Sequence, residues 1–167
     1  FIIKRRIRQS PINIYGKSKI KAEKEILKIN RKALIIRTNF FGWGTDYRKS
    51  FSDFIIENLK KKRKIYLFDN VFFTPILIDE LVKIIHSLIK KDVNGVYNVG
   101  GNTRISKFDF GISIAKFFKL DYKLIIKSSI DQKHNLTKRP KEMSLISNKA
   151  MNVVGYKFGD IKKNILN

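Results

Sequence analysis

ALIIRTNFFGWG, residues 33–44, decides the fold class. Its first six residues are nearly all apolar and rich in β-branched side chains, the pattern of a strand covered on both faces, and the glycines at 42 and 44 close it with a turn. Such strands belong to parallel sheets, whose crossover connections carry helices. Upstream, Pro11 and Asn13 lead into a helix read over residues 15–30, with Tyr15, Lys19, Ala22 and Ile26 sharing one face. Downstream the alternation continues. Ser50 and Asp53 have capping-box spacing ahead of a helix whose apolar stripe is Phe51, Phe54, Ile55 and Leu59. A strand at 65–68 precedes a helix at 79–90 with Ile78, Leu81, Val82, Ile85 and Ile89 at helical spacing. A strand at 95–99 ends in Gly100-Gly101, and Ser106 with Asp109 opens a helix carrying Phe108, Ile112, Ala115 and Phe118. A strand at 123–127 and a short helix at 147–154 complete the order. Helices and strands thus alternate, with no repeat and no low-complexity tract, which predicts an α/β fold.

The chain has 167 residues, 43% of them hydrophobic and 12% aromatic, enough apolar surface for a packed core and against disorder. There is no cysteine and there are only two histidines, which removes thiolate chemistry and a typical zinc site, so no metal is expected. No apolar run approaches the roughly 18 residues that span a bilayer, and a cytoplasmic protein without membrane contact is the expectation. Lys and Arg number 36 against 14 Asp and Glu, a formal charge of +22. The lysines are spread through every segment among Ile, Asn and Phe, so the charge reads as a compositional, solvated surface and nucleic acid as an unlikely partner. The densest runs, Lys4-Arg5-Arg6 and Lys60 to Lys64, sit at the chain start and at a helix end.

Tyr15 and Lys19 have the spacing Tyr-x-x-x-Lys, which stacks a phenol and an ammonium one turn apart. A neighbouring ammonium favours the phenolate, so such a tyrosine can exchange a proton with a carbonyl or alcohol oxygen near neutral pH. With six tyrosines in so lysine-rich a chain, about one such pair arises by chance, and the surroundings must decide.

Those surroundings are PINIYGKSKIKAEK at 11–24, then LIIRTNFFGWG. The combination resembles the extended short-chain dehydrogenase/reductase superfamily, in particular its dTDP-4-dehydrorhamnose reductase branch. Pro11, Asn13, Tyr15, Gly16, Ser18, Lys19 and Glu23 match that branch's Pro-x-Asn-x-Tyr-Gly-x-Ser/Thr-Lys-x-x-x-Glu segment, and Ile36, Arg37, Thr38, Asn39 and Phe40 fill the places of its next strand. FDNVFFTPILIDEL, GVYNVGG, ISKFDFGISIA and RPKEMSL are similar to its later segments, with Thr74 and Pro75 in reversed order. The resemblance implies the C-terminal part of a Rossmann-like doubly wound sheet plus a small α/β substrate-binding lobe.

It implies roles as well. Tyr15 would protonate the C4 ketone oxygen of a dTDP-deoxysugar and Lys19 would hold the nicotinamide ribose of NADPH or NADH and tune Tyr15. Thr38 and Asn39 would lie near the nicotinamide, Phe40 against the sugar nucleotide, and Arg139 toward its diphosphate. The Gly-rich turn that cradles a dinucleotide is absent: no G-x-x-G-x-x-G or G-x-G-x-x-G occurs, and the family's Ser or Thr ahead of the tyrosine has no counterpart. The expected division is a basic lead-in at 1–10 from a missing N-terminal half, the end of the Rossmann-like domain with the catalytic helix at 11–64, and mainly the substrate lobe at 65–167. Such a chain reads as a fragment that is inactive and unable to bind NADPH alone, and its 33–38 strand would expose an apolar edge to a complementing N-terminal half or a second copy. Two other readings stay open: a fragment of a sugar-nucleotide epimerase or dehydratase, and a basic binding module without chemistry.

Overall fold

The computed structural model describes residues 11–132, 139–159 and 161. The lead-in at 1–10, with its basic run, lies outside them. Helix α1 spans Ile14–Ile29 and is started by Asn13, whose side-chain oxygen accepts the Gly16 amide at 2.8 Å. A tight turn at 30–33 reverses the chain into strand β1, Leu34–Thr38. Further on come β2 (Phe40–Phe41), α2 (Phe51–Lys60), β3 (Ile65–Phe68), β4 (Phe72–Phe73), β5 (Ile76–Leu77) and α3 (Ile78–Lys90). Then follow β6 (Gly95–Val99), β7 (Ile105–Ser106), α4 (Lys107–Phe117), β8 (Ile125–Ser128) and α5 (Asn148–Val154). The expected alternation holds; the last strand starts two residues later than the sequence suggests because Tyr122–Leu124 close a short 3-10 turn.

β1 and β6 pair in parallel from Leu34 opposite Gly95 to Thr38 opposite Val99. Among the described residues the other edge of β1 has no strand partner. Strand alternation turns Leu34 and Ile36 to one face, where they join Tyr97 and Val99 of β6, Leu81, Ile84 and Leu88 of α3, and Ala150 of α5 in one apolar cluster. Arg37 faces the opposite side, toward α1. The second parallel pair, β3 with β8, is covered by α2 and α4, and Ile55, Leu59, Ile65, Leu67, Phe110, Ile114 and Ile125 form its core. The short pairs β2 with β5, parallel, and β4 with β7, antiparallel, link the two. Gly101 sits where they meet, so close that a Cβ would lie 2.1 Å from the Pro75 carbonyl oxygen.

Three helices bury part of the face their spacing suggests and shift the rest. In α3 the core takes Leu81, Ile84 and Leu88, while Val82 and Ile89 are exposed. In α4 it takes Phe110, Gly111, Ile114 and Ala115, with Phe108 and Ile112 packed at its margin. In α2 it takes Ser52, Ile55 and Leu59 and leaves Phe54 exposed. Apolar residues wrap roughly half of each helix's circumference or more, so periodicity admits neighbouring faces and the sheet selects among them. The fourth case concerns α1, which buries nothing: its half-buried side is Gly16, Ile20, Glu23 and Leu27, and the face read from the sequence, Tyr15 to Ile26, points to solvent.

The Ser50 capping box is complete. Its hydroxyl accepts the Asp53 amide at 3.1 Å, and the Asp53 carboxylate accepts the amides of Ser50 at 2.8 Å and Gly44 at 2.7 Å. Burial alone raises the Asp53 carboxyl, but these bonds outweigh it and hold the group below the usual carboxylate value. Ser50→Ala is expected to cost about 1 kcal/mol of stability in chemical denaturation, the usual loss of an N-cap. At α4 the arrangement is not reciprocal: the Ser106 hydroxyl both accepts the Asp109 amide and donates to the Asp109 carboxylate at 2.6 Å.

Candidate functional site

The site is built where α1 starts and β1 ends. Since α1 and β1 are joined by a tight turn, they run antiparallel, and Glu23 lies beside Arg37. Tyr15 is eight residues before Glu23, ~12 Å along the helix. Phe40 is three residues beyond Arg37, ~10 Å along the strand direction. Both therefore reach the same end of the sheet, the carboxyl end of β1, where open α/β sheets bind ligands.

Tyr15 and Lys19 stand on the solvent face of α1, with the Lys19 ammonium 5.4 Å from the centre of the Tyr15 ring. Tyr15 is 70% exposed, so its hydroxyl is presented to solvent and carries no packing role. Phe40 is 60% exposed, an aromatic face left open next to the fully packed Phe41. Thr38 is half-buried, and its hydroxyl is shielded from water without a hydrogen-bond partner. Asn98, near the end of β6, likewise gives its amide to the Ile146 carbonyl at 3.3 Å and leaves its side-chain oxygen unpartnered. Unpaired buried oxygens are costly and mark places where a polar ligand compensates. Thr38 thus fits the amide or hydroxyls of a nicotinamide nucleoside, whereas the sequence holds no glycine turn for a pyrophosphate.

Asn39 performs a task that its place in the motif did not disclose. Its amide donates to the Met143 carbonyl at 2.8 Å, which ties the end of β1 to the loop at 139–145. That loop is held at several other points. Phe72 donates to Lys141 and accepts from Met143, the Leu145 amide donates to the Thr74 hydroxyl at 3.1 Å, and Arg104 bonds Glu142 at 2.7 Å while lying 3.6 Å over the Phe72 ring. Burial pushes the Glu142 carboxyl up, but hydrogen bonds from Ser144 and Arg104 bring it below its ordinary value. Arg139 enters this anchored loop as an exposed side chain, beside the undescribed residues 133–138. Among the described residues no group of three His, Cys, Asp or Glu side chains could hold a metal ion, and no helix is long and apolar enough to cross a membrane.

Two features were not legible from spacing. The first is the bidentate pair of Arg37 with Glu23, whose residues are fourteen apart. The second is Lys107, half-buried, with its ammonium 3.4 Å from the centre of the Phe73 ring and 4.8 Å from that of Phe51. Burial lowers it from 10.5 to about 8. Over that interval the unfolded chain binds more proton than the folded one, so the charge opposes folding below pH about 8 and the opposition fades toward about 10.5. Relative to Lys107→Met, the wild-type protein is expected to gain stability as pH rises through this window. Paired thermal melts check it, and a flat difference would mean that attraction to the two rings cancels the cost of burial.

A family model described as the RmlD substrate binding domain matches residues 4–166. A probable low-salt glycan biosynthesis reductase from Haloferax volcanii is 27% identical over 139 residues, 81% of this chain and 46% of that protein. The chain therefore spans about half the length of that curated relative. Its structure resembles that of a hypothetical dTDP-4-dehydrorhamnose reductase from Sulfolobus tokodaii, with a TM-score of 0.80 and 28% identity over 96% of this chain and 55% of the other. It also resembles a dTDP-4-dehydrorhamnose reductase from Bacillus anthracis in complex with NADP, with a TM-score of 0.83, 94% of this chain and 55% of the other being covered. At 22% identity the latter likeness concerns the fold, a Rossmann-like α/β arrangement with no closed barrel.

Proposed function

We propose, from the premise that this chain belongs to the RmlD substrate binding domain family, that it forms the proton-donor and substrate side of an NADPH- or NADH-dependent reductase acting on the C4 ketone of a dTDP-deoxysugar. What supports this reading is that the exposed Tyr15–Lys19 pair near the start of α1 and the open Phe40 ring just beyond β1 both lie toward the carboxyl end of β1. The named reductase relatives support it.

In this mechanism the Tyr15 hydroxyl donates a hydrogen bond to the ketone oxygen and gives up its proton as negative charge builds there. The Lys19 ammonium stabilises the phenolate left behind and holds ribose hydroxyls. A bound reduced nicotinamide supplies the hydride. Thr38 offers its unpartnered hydroxyl to the nicotinamide side, Phe40 covers the sugar nucleotide, and Asn39 acts with them by fixing the 139–145 loop. Arg139 brings a guanidinium suited to a diphosphate. Residues 11–64 thus carry the proton donor, and 65–167 mainly the substrate side. A phosphate cradle comes from outside this chain, from an N-terminal half or a second copy, so the 167-residue chain alone is proposed to bind no NADPH.

Two experiments test the reading. Incubating the native polypeptide that carries this sequence with NADPH and a dTDP-4-keto-6-deoxysugar should consume NADPH and yield a C4 alcohol, whereas an epimerised or dehydrated product without net NADPH consumption would favour the epimerase or dehydratase alternative. Binding of NADPH by residues 1–167 at micromolar concentration would overturn the proposed division of labour.

A further inference from the structure

We propose that Glu23 and Arg37 are positioning residues: their paired side chains set how α1 lies on β1, and thereby where Tyr15 and Lys19 stand at the end of the sheet. The proposal rests on the acid–base reading of Tyr15 and Lys19. Its starting point is that, within this chain, α1 buries little of its surface. No residue of the helix is buried, and the side turned toward the sheet consists of the half-buried Gly16, Ile20, Glu23 and Leu27. Apolar contact of this kind is non-directional, so it presses the helix down without fixing its roll or slide.

The ion pair supplies the missing direction. Arg37 donates through Nε to one Glu23 oxygen at 2.8 Å and through Nη2 to the other at 2.5 Å, a planar fork on a planar carboxylate. Both side chains are largely shielded, 20% and 18% exposed, so water competes little for either. Arg37 is itself fixed, because β1 is locked in register with β6 on one side and its flanking residues Ile36 and Thr38 face the opposite way. Glu23 is one helical turn from Lys19 and two from Tyr15, so a shift of Glu23 on the fork moves the acid–base pair with it. Displacements of about 1 Å at reacting groups cost about 100-fold in rate.

The test uses the native polypeptide carrying this sequence, with Glu23→Gln, which keeps shape and removes charge, and Arg37→Lys, which keeps charge and removes the fork. Two readouts are taken well below the melting temperature: kcat and KM for ketone reduction, and amide hydrogen exchange resolved by segment. The expected result is a kcat lowered by about 10- to 100-fold with KM for the sugar nucleotide within about twofold, together with about tenfold faster exchange in residues 18–27 and unchanged exchange in β3 and β8. Wild-type kcat in both variants, or unchanged exchange in α1, overturns the proposal. So does equal acceleration throughout, which would make the pair a general stabiliser. If the wild-type polypeptide reduces no ketone, or Tyr15→Phe leaves its rate intact, the acid–base reading fails while the exchange of α1 still decides whether the pair holds the helix.

Discussion

Tyr15→Phe is expected to lower kcat for ketone reduction by about 100- to 10,000-fold, the usual contribution of a positioned general acid. The substitution removes one oxygen and leaves the ring, so the contact with the Lys19 ammonium 5.4 Å from its centre persists. Because the side chain is 70% exposed, no core contact is lost, and stability should stay within about 0.5 kcal/mol of wild type. Activity and stability therefore separate at this position. Steady-state kinetics beside a denaturant melt check both halves, and a retained rate would mean that another group delivers the proton. A basic binding module would respond differently: its affinity for an anionic polymer would ignore the phenol and fall steeply with salt.

How far the sequence disclosed this site depends on the range of each signal. The Asn13 cap, the Ser50–Asp53 box and the strand at 34–38 rest on residues three or four apart, and they were readable because local hydrogen bonds and side-chain alternation determine them. The closeness of Tyr15 and Lys19 on α1 was readable for the same reason, whereas a role for them comes from the family resemblance alone. Their environment was not, since the pairing of Glu23 with Arg37 and the bond from Asn39 to Met143, 104 residues away, exist only after folding. Two-residue strands such as Phe40–Phe41 and Phe72–Phe73 are too short for any period, and partner strands define them. The direction in which a helix faces is intermediate. Several apolar residues compete for the core, and the outcome is settled by the sheet that receives them.

Phe110 makes that last point measurable. The spacing in α4 favours Phe108, Ile112, Ala115 and Phe118 as the buried stripe, whereas the fold places Phe110 at the centre, wholly inaccessible. Its ring meets Phe41 and Phe73 edge-on at 5.3 and 5.4 Å and stacks on Phe51 at 5.6 Å, so it joins β2, β4 and α2 to α4. Removing it opens a cavity among groups fixed by different elements, which cannot close without moving all of them. Phe110→Ala is accordingly expected to cost about 3–5 kcal/mol. Phe108 lies at the margin of the same cluster with the Lys127 ammonium 5.2 Å from its ring centre, and water can fill the space that Phe108→Ala leaves. Its cost should be nearer 1 kcal/mol. Denaturant melts of the two variants decide between the faces, because a larger loss at Phe108 would turn α4 by two residues and take Gly111, whose Cβ would lie 2.3 Å from a Leu67 methyl, out of its contact with β3.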